Sequence, residues 1–585
     1  MCGIAGLLTA TGAPADPAVL EAMGQAMAHR GPDGVGYYRR DNCGFVHMRL
    51  AIIDLVTGDQ PLYGPDGLAL VGNGEVYNNQ ELRAELADAP FVTKSDCEPP
   101  LYLYLKHGLD FAAHLRGMYA IAIHDPVKGR LVLARDPFGI KPLYYADTPQ
   151  GFVFASEPQA ILATGLVGRK LRAKARDELL NLQFTTGPNT IFSGIRRLMP
   201  GETIVVEKGL IVDRRRIDAL PAGGVDCRPD AAQAMVDLDK VLEQSVLIHQ
   251  RSDVPYGMFL SGGIDSSAVL ALMARLNTRP VLAYTAFFPG TRAHDESAQA
   301  RAVAKAVGAH HIEVPVTEAD FWADLPSIAA AMDDPVADYA VVPTIKLAEQ
   351  ARKSVKVILS GEGGDELFGG YGRYRGAMRP WPFAKSMRRS GNFEGLGVLI
   401  NEDGWRDGYA DAERAEMGRG RTRLQAAQAL DCADWLPNDL LVKLDRCLMA
   451  RGVEGRVPFL DPEVARFAYR LPDGLKVKKG LGKWLLRSWL AKTLPEAQPF
   501  AEKRGFTVPV QDWIAARPDL GKLVASQSCI REFCLPDGVE RLFRGASDKR
   551  AGFAAWTLLF YALWHRRHIR GEAPVGDVFE TLNAA

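Results

Sequence analysis

Short apolar runs separated by Gly, Pro, Asn and Asp fill residues 1–195. Two stretches, Pro17–His29 and Glu98–His107, have helical spacing instead. Runs ordered in this way predict stacked antiparallel sheets with helices packed outside them. The predicted strands are Gly44–His47, Leu50–Leu55, Leu68–Val71, Tyr119–His124, Arg130–Ala134 and Gly151–Ala155.

From Asp230 onwards the pattern changes, because strands now alternate with helices. Such alternation indicates a parallel sheet covered on both faces, and beyond residue 375 the chain looks mostly helical. The predicted helices are Ala231–Gln250, Ser266–Leu276 and Ser297–Val307, and the strands are Tyr256–Leu260, Val281–Phe288, His311–Val316 and Val355–Leu359.

Residues 212–229 separate the two patterns. They contain a cluster of arginines, Pro221, paired glycines at 223–224 and Pro229, which is a composition typical of linkers. A chain of 585 residues is also too long for a single core. We therefore expect one domain over residues 2–211, a linker over 212–229 and a second domain over 230–585.

Composition narrows the possible partners. Lys plus Arg and Asp plus Glu both total 70, so no net field favours nucleic acid or an anionic membrane. The chain shows no basic, apolar leader and no run of ~18 apolar residues, so we expect a soluble, cytoplasmic protein. The 8 cysteines have no metal-type spacing and predict no disulfide framework.

The second residue is a cysteine, in the run Met1-Cys2-Gly3-Ile4-Ala5-Gly6. If Met1 is removed, Cys2 carries both a thiol and a free α-amine with a pKa of about 8. Such an amine can take the thiol proton near neutral pH, directly or through a water, without a histidine. A Met-Cys start is weak evidence alone, because a small residue commonly follows the initiator methionine.

Other groups in the first half suit the hydrolysis of an amide. The Asn73 side chain and the Gly74 N–H could form an oxyanion hole. Arg49 could hold a substrate carboxylate and Asp96 a substrate ammonium. Each also has an ordinary explanation, as a surface cation, a hairpin turn or a helix cap.

Taken in order, the segments of this half resemble a class II glutamine amidotransferase domain, an N-terminal-nucleophile hydrolase. They are MCGIAG (1–6), HRGPDG (29–34), RLAIIDL (49–55), NGEVYN (73–78), LRGMYAIAI (115–123) and ARDPFGIKPLYY (134–145). The resemblance implies that Cys2 is the nucleophile and its amine the base, with the oxyanion hole at Asn73 and Gly74. The glutamine-binding residues that it implies are Arg49, Leu50, Ile52, Ile53, Asn73, Gly74, Glu75 and Asp96. Two prolines, Pro99 and Pro100, depart from the family pattern after Asp96 and could delay the next helix.

Two glycine-rich turns follow predicted strands in the second half. The first, Ser261-Gly262-Gly263-Ile264-Asp265-Ser266-Ser267, has glycines, hydroxyls and a helix N-terminus suited to phosphate, but no lysine. The second, Ser360-Gly361-Glu362-Gly363-Gly364-Asp365-Glu366, carries another aspartate. Both turns should emerge at the carboxyl edge of a parallel sheet. Asp265 and Asp365 could therefore share one Mg²⁺-nucleotide.

This half resembles the ATP-pyrophosphatase domain of glutamine-hydrolysing asparagine synthetases. The matching segments are GMFLSGGIDSS, VILSGEGGDELFGGY, LPNDLLVKLDR (436–446), RVPFLD (456–461), GKWLLR (482–487) and KRGFTVPVQDW (503–513). The expected fold is an αββα sandwich of the N-terminal-nucleophile type (α+β), then an α/β adenine-nucleotide α-hydrolase-like domain with a helical C-terminal part. The resemblance implies ATP contacts at Leu260, Ser261, Gly262, Gly263, Asp265, Ser266, Ala286, Ser360 and Gly361, and metal ligands at Asp265 and Asp365. It also implies that Glu362 assists adenylation and that Lys483 stabilises phosphate charge.

The resemblance implies that glutamine, ATP and Mg²⁺ are used to amidate a carboxylate, most simply aspartate, through an acyl-adenylate. In the expected acceptor segment, Asp333–Tyr339, no cation appears before Lys346, so the sequence leaves the acceptor open. A sugar acid of the cell envelope or a peptide would fit the same chemistry.

Two further alternatives carry less weight. Pairing the glutaminase with a sugar-phosphate isomerase or a phosphoribosyltransferase disagrees with the pyrophosphate loop. A regulatory protein that binds nucleotide without catalysis disagrees with the presence of Cys2, Glu362 and Lys483. A homodimer is also left open.

Overall fold

The structure is a computed structural model that describes residues 2–224, 230–291, 296–379, 383, 385, 387–401, 403–418, 420–501 and 507–584. Within these residues the strands form two six-stranded antiparallel sheets and one five-stranded parallel sheet. The two antiparallel sheets belong to the first domain and the parallel sheet to the second.

The first domain contains all strands as far as residue 216. They are β1 (Gly3–Thr9), β2 (Gly34–Arg40), β3 (Cys43–Arg49), β4 (Leu62–Tyr63), β5 (Ala69–Val76), β6 (Gly117–Asp125), β7 (Arg130–Arg135), β8 (Tyr144–Thr148), β9 (Gly151–Ala155), β10 (Arg196–Arg197), β11 (Glu202–Glu207) and β12 (Leu210–Arg216). Its helices are α1 (Pro17–Ala26), α2 (Asn79–Glu85), α3 (Pro99–His107), α4 (Pro158–Ala163) and α5 (Ala173–Leu182).

The two antiparallel sheets pack face to face, in the orders β10-β8-β9-β1-β3-β2 and β12-β11-β7-β6-β5-β4. Strand β5 illustrates this packing, because its side chains enter two different cores. Ala69 and Val71 belong to the core between the sheets, whereas Leu70 belongs to the core beneath α3. Successive side chains of a strand point to opposite faces, so both faces of this strand are buried. Helix α1 covers the outer face of the other sheet. The predicted αββα sandwich is confirmed.

Three local predictions differ from the structure. Residues 50–55 form an irregular loop and no strand, because side-chain oxygens take their backbone N–H groups: Asp33 accepts from Ala51 N at 2.8 Å and Asp253 from Asp54 N at 2.8 Å. The two prolines do not delay α3, since they occupy its first positions, where the missing N–H groups are not needed.

The third difference concerns the predicted linker. Strand β12 continues to Arg216, so the start of the 212–229 segment belongs to the second sheet of the sandwich. The end of that segment, residues 225–229, lies outside the described residues.

The second domain begins with α6 (Ala231–His249). Its strands are β13 (Tyr256–Phe259), β14 (Leu282–Phe287), β15 (His310–Pro315), β16 (Val357–Leu359) and β17 (Glu454–Arg456). The helices that follow α6 are α7 (Ile264–Leu276), α8 (Ser297–Ala306), α9 (Glu318–Ala331), α10 (Val341–Ala351), α11 (Gly364–Phe368), α12 (Gly372–Ala377), α13 (Asp407–Glu416), α14 (Arg423–Leu430), α15 (Leu441–Met449), α16 (Pro462–Arg470), α17 (Asp473–Lys476), α18 (Trp484–Thr493), α19 (Val510–Ala515), α20 (Leu520–Ser526), α21 (Ser528–Arg531), α22 (Pro536–Arg544), α23 (Lys549–His568) and α24 (Val578–Asn583).

The strand order of the parallel sheet, β15-β14-β13-β16-β17, places a topological switch point between β13 and β16. The chain runs from β13 towards one edge of the sheet, then returns to β16 on the other side. Loops after the two central strands therefore diverge at the carboxyl edge and leave a crevice, where ligands bind in such folds. The predicted parallel sheet and its helical C-terminal part are confirmed.

No helix within the described ranges is both long enough and apolar enough to cross a bilayer. The cysteines of those ranges are free thiols.

Candidate active sites

Cys2 immediately precedes β1, a central strand of the first sheet that is buried along its whole length. The strand lies this deep because Gly6 allows a close approach: a Cβ at that position would lie 2.4 Å from the carbonyl oxygen of Gly44. Cys2 itself is only 8% exposed. The fold thus holds the start of the chain inside the sandwich.

Asn73 is the nearest polar partner of Cys2. The backbone nitrogen of Cys2 donates to Oδ1 of Asn73 at 3.1 Å, and Sγ of Cys2 lies 3.9 Å from the carbonyl oxygen of Leu50. Asn73 is fully buried, and among the described residues nothing accepts a hydrogen bond from its Nδ2. A buried, unused donor beside a thiol is the arrangement that an oxyanion hole requires.

The thiol of Cys2 needs a base. Burial raises the pKa of this thiol above its ordinary value and outweighs the contact with the Leu50 carbonyl, which acts in the opposite direction. The thiol is therefore neutral near pH 7, and a proton acceptor must act before it can attack. The hydrogen-bond partners described for Cys2 are the Asn73 side chain, the Leu50 carbonyl and the Arg30 guanidinium, and the Glu454 and Glu75 carboxylates lie close enough to act on its charge.

Gly74 and Glu75 follow Asn73 along β5. A Cβ on Gly74 would lie 2.1 Å from the carbonyl oxygen of Met118 on β6, so only glycine fits there. Oε2 of Glu75 lies 3.3 Å from Nη2 of Arg456, which belongs to β17 of the second domain. Burial and the nearby Glu454 carboxylate raise the pKa of Glu75 well above its usual range.

Asp96 lies beside this strand. Its Oδ2 accepts a hydrogen bond from the backbone nitrogen of Val76 at 2.7 Å. Burial raises the pKa of Asp96 to about 6, even though this hydrogen bond favours the charged form. The structure thus brings Asp96 next to the Asn73–Glu75 segment, as a substrate-ammonium ligand would have to be.

Arg49 ends β3 and leads into the irregular loop of residues 50–55. Its Nη1 lies 2.7 Å from Oδ1 of Asp59, and its Nη2 donates to the carbonyl oxygen of Asp54. Leu50 and Ile52 are buried, and Ile53 is half-buried. A substrate carboxylate at Arg49 would compete with Asp59, whose side chain is 80% exposed.

The second site occupies the predicted crevice. A cleft of about 260 Å³ opens between the loops after β13 and β16. The predicted residues among those that line it are Leu260, Ser261, Gly263, Asp265, Ser266, Ala286, Ser360, Gly361 and Glu362. Gly262 is not part of this lining; it has a φ of +72° and packs against α8.

The two aspartates of the glycine turns meet at one lysine. Nζ of Lys483 lies 2.7 Å from Oδ1 of Asp365 and also contacts Oδ2 of Asp265. The turns approach so closely that a Cβ on Gly361 would lie 2.9 Å from Cβ of Asp265. Lys483 is 3% exposed, and despite its burial the two carboxylates raise its pKa.

This donor set fits magnesium carried by a nucleotide. Two carboxylates provide hard oxygen ligands, and Mg²⁺ usually takes its remaining ligands from phosphate and water. In the part of the chain that the structure describes, no group of three or more His, Cys, Asp or Glu could hold a metal alone. Asp265 and Asp365 therefore suit a metal that arrives together with phosphate oxygens.

The sequence reasoning missed Lys443, which lines the same cleft from α15. Its Nζ lies 2.7 Å from Oδ2 of Asp338, and the attraction of Asp338 and Glu362 outweighs burial and raises its pKa. Burial also raises the pKa of Glu362. Lys443 stands in the LPNDLLVKLDR run, but every residue of α15 is buried, and the sequence did not show which of its polar side chains faces the cleft.

The residues of the expected acceptor segment, Asp333–Tyr339, contact both domains. Asp338 faces Lys443, whereas Asp334 forms a fork with Arg197 of the first domain, at 2.8 and 2.7 Å. Helix α23 fixes the segment, since the indole nitrogens of Trp556 and Trp564 donate to the carbonyl oxygens of Ala337 and Met332 at 2.7 and 2.8 Å. Residues beyond 515 thus hold the acceptor segment in place beside the second site.

Lys346, the first cation after that segment, is not a candidate ligand, because it pairs with Asp320 and Asp324.

Comparison with known proteins agrees with this geometry. The asparagine synthase family model matches residues 237–566, and the glutamine amidotransferase domain model matches residues 1–215. A Mycobacterium tuberculosis protein with the provisional name asparagine synthetase (glutamine-hydrolysing) is 36% identical over 97% of each chain. Asparagine synthetase (glutamine-hydrolysing) 1 of Bacillus subtilis is 30% identical over 94% of each chain. Amidase chry2 of Gibberella zeae is 27% identical over 88% of this chain and 89% of its own.

An N-terminal-nucleophile amidotransferase domain joined to an α/β domain with a nucleotide crevice defines a glutamine-dependent, ATP-binding ligase. The chain belongs to the asparagine synthetase family, of the glutamine-hydrolysing type. Both resemblances that the sequence motifs indicated are confirmed at this level.

Proposed function

We propose that this enzyme converts aspartate to asparagine through a β-aspartyl-AMP intermediate, with Cys2 as the nucleophile that releases ammonia from glutamine. The observation that carries the proposal is the cleft between the two glycine turns, where Glu362, Lys443 and Asp265 surround one space. Mg²⁺ bound with ATP would neutralise phosphate charge there.

In the first domain, we assign attack on the glutamine amide to the Cys2 thiol after its proton passes to the α-amine. The resulting oxyanion would accept hydrogen bonds from Nδ2 of Asn73, which is otherwise unused, and from the N–H of Gly74. Arg49 and Asp96 would hold the carboxylate and ammonium of glutamine. The oxyanion collapses to a thioester as the C–N bond breaks, and the leaving ammonia takes the proton held by the α-amine. Water then hydrolyses the thioester, which frees the thiol and releases glutamate.

Ammonia must reach the second site unprotonated, because its protonated form has no lone pair with which to attack. A buried contact surface between the domains supports internal passage: Arg30 and Lys141 of the first domain are at most 1% exposed, and Nζ of Lys141 donates to the carbonyl oxygen of Gly455 at 3.3 Å. Exclusion of water along this surface would preserve the nucleophile.

In the second domain, the acceptor carboxylate attacks the α-phosphorus of ATP and pyrophosphate leaves. Ser261, Gly263 and Ser266 line the cleft at the N-terminus of α7, where backbone N–H groups favour phosphate. Lys483 would balance the charge of the departing pyrophosphate. Lys443 supplies the cation that the acceptor segment lacks, and we assign the second carboxylate of aspartate to it.

A different carboxylate acceptor is the alternative. The similarity to Amidase chry2 supports it, because that relative shares most of the chain under a different name. The acceptor would then be another small acid, such as a sugar acid of the cell envelope or a peptide. Cytoplasmic location and a homodimer stay predictions.

Product analysis tests the proposal. The enzyme is incubated with ATP, Mg²⁺, glutamine and a panel of acceptors that carry ¹⁸O in the carboxylate. Aspartate should give asparagine, glutamate, pyrophosphate and ¹⁸O-labelled AMP. Formation of ADP with labelled phosphate would exclude the adenylate, and turnover of another acid in preference to aspartate would establish the alternative.

A further inference from the structure

Arg30 connects Cys2 with the second domain. This residue is fully buried, and its Nε donates to the carbonyl oxygen of Cys2 at 3.2 Å. Its two terminal nitrogens form a fork with Asp445, at 2.7 and 3.1 Å. Nη1 also lies 2.7 Å from Oε1 of Glu157. The guanidinium thus bridges the residue that bears the thiol and a carboxylate more than 400 positions along the chain.

Asp445 lies on α15, the helix that also contributes to the nucleotide cleft. Lys443 and Leu444 line that cleft, and the next residue holds Arg30. Arg446 binds the same carboxylate, with its Nη1 2.9 Å from Oδ2 of Asp445. One short helix therefore contacts both candidate active sites.

The Arg30–Asp445 pair stays charged across the working pH range. Burial alone would lower the pKa of Arg30, but Asp445 and Glu157 outweigh it and raise that pKa. Burial likewise opposes ionisation of Asp445, yet Arg30 and Arg446 hold the pKa of this carboxyl below its usual value. A planar guanidinium that forms a fork with a carboxylate has a strongly restricted orientation.

We propose that Asp445 is a positioning residue for glutamine hydrolysis, acting through Arg30 on the carbonyl group of Cys2. The first domain would then depend on a carboxylate of the second domain to place its own nucleophile. The proposal rests on the role of Cys2 proposed above.

The physical argument concerns what Arg30 does when the fork is lost. With Asp445 neutral, Glu157 becomes the principal anion beside Arg30, and the guanidinium is drawn towards it. Nε then leaves the carbonyl oxygen of Cys2, so the thiol and amine lose one of their fixed contacts beside Asn73. A misplacement of about 1 Å at a reacting group can lower the rate ~100-fold.

The test uses the full-length chain with Asp445→Asn, which keeps the shape of the side chain and removes its charge. The kcat for glutamate release should fall about 10- to 100-fold. KM for glutamine should change less than threefold, because no group assigned to substrate binding is altered. Amide formation from ammonia, which does not need Cys2, should stay within twofold of the wild-type rate.

Asp461→Asn is the matched control. Asp461 also forms a fork between the domains, partly buried, with Arg116 at 2.9 and 3.0 Å, but the hydrogen bonds of that arginine do not include Cys2. This control should keep glutamate release. Equal losses in both variants would show a general weakening of the domain contact and overturn the proposal, as would unchanged glutamate release in Asp445→Asn.

If Asp445→Asn does not fold, Asp445→Glu replaces it, since it keeps the charge and shifts the carboxylate by one methylene. It should lower glutamate release while sparing ammonia use, and full glutamate release would overturn the proposal. Wild-type and Cys2→Ala enzymes are assayed in parallel. Absence of glutamate release from the wild type, or its persistence in Cys2→Ala, would refute the role of Cys2 itself and not only that of Asp445.

Discussion

Asn73 offers the sharpest test of the thiol site. Its Oδ1 accepts from the Cys2 nitrogen, and its Nδ2 is buried and unused among the described residues. Asn73→Asp keeps an acceptor for the Cys2 nitrogen but removes the donor. We expect glutamate release to fall sharply, whereas amide formation from ammonia should persist.

The magnitude follows from the burial of Asn73. Loss of one oxyanion donor typically lowers kcat ~10²- to 10³-fold, or about 2.7–4 kcal/mol. Asn73 has no exposed surface, so water cannot readily replace the lost donor. A carboxylate beside the developing oxyanion would also repel it. We therefore expect Asn73→Asp to lie at the upper end, near ~10³-fold.

The assay measures kcat for glutamate release, with ammonia-dependent amide formation as the check on folding. Asn79→Ala is the matched control, because Asn79 is a similarly buried asparagine whose Nδ2 donates to the carbonyl oxygen of Val76. That variant should retain glutamate release. A kcat for Asn73→Asp within threefold of the wild type would refute the oxyanion assignment.

Two further predictions concern pH and magnesium. Asp96 must be ionised to hold an ammonium, and its pKa is about 6, so kcat/KM for glutamine should fall as pH drops through 6. Ammonia use, measured at constant unprotonated ammonia, should show no such step, and a glutamine profile that is flat down to pH 5 would contradict the role of Asp96. Lys483→Met should stop pyrophosphate release and leave glutamate release intact, because Lys483 lies in the second site. Without the lysine, Asp265 and Asp365 repel each other, so adding Mg²⁺ in the presence of ATP should raise the thermal unfolding midpoint more than in the wild type; an equal response in calorimetry would argue against a shared metal.

Local sequence predicted most elements of the fold. The runs around Ala120 and Leu133 became strands because β-type residues alternate between faces that are both covered. The strand predicted at 50–55 was wrong, because local sequence does not show which distant side chains bind its backbone. Its apolar residues resemble a strand, but the side chains of Asp33 and Asp253 take its backbone hydrogen bonds, and nothing nearby in the sequence announces that.

Local motifs were enough to show which chemical groups are present and which turns carry them. The two glycine turns could be predicted because each depends on neighbours in the chain, a strand that ends and a helix that begins, whereas Cys2 and Asn73 were predicted from the resemblance of their local motifs.

The contacts that join these groups depend on segments that lie far apart in the chain. Glu75 contacts Arg456, Arg30 contacts Asp445, and Lys443 reaches the cleft from a helix that is buried all round. The partner of a buried charge depends on which distant segments the fold brings within about 3 Å, because a charge without such a partner would be too costly to bury. Sequence spacing carries no record of that distance, so the connection between the two sites became visible only in three dimensions.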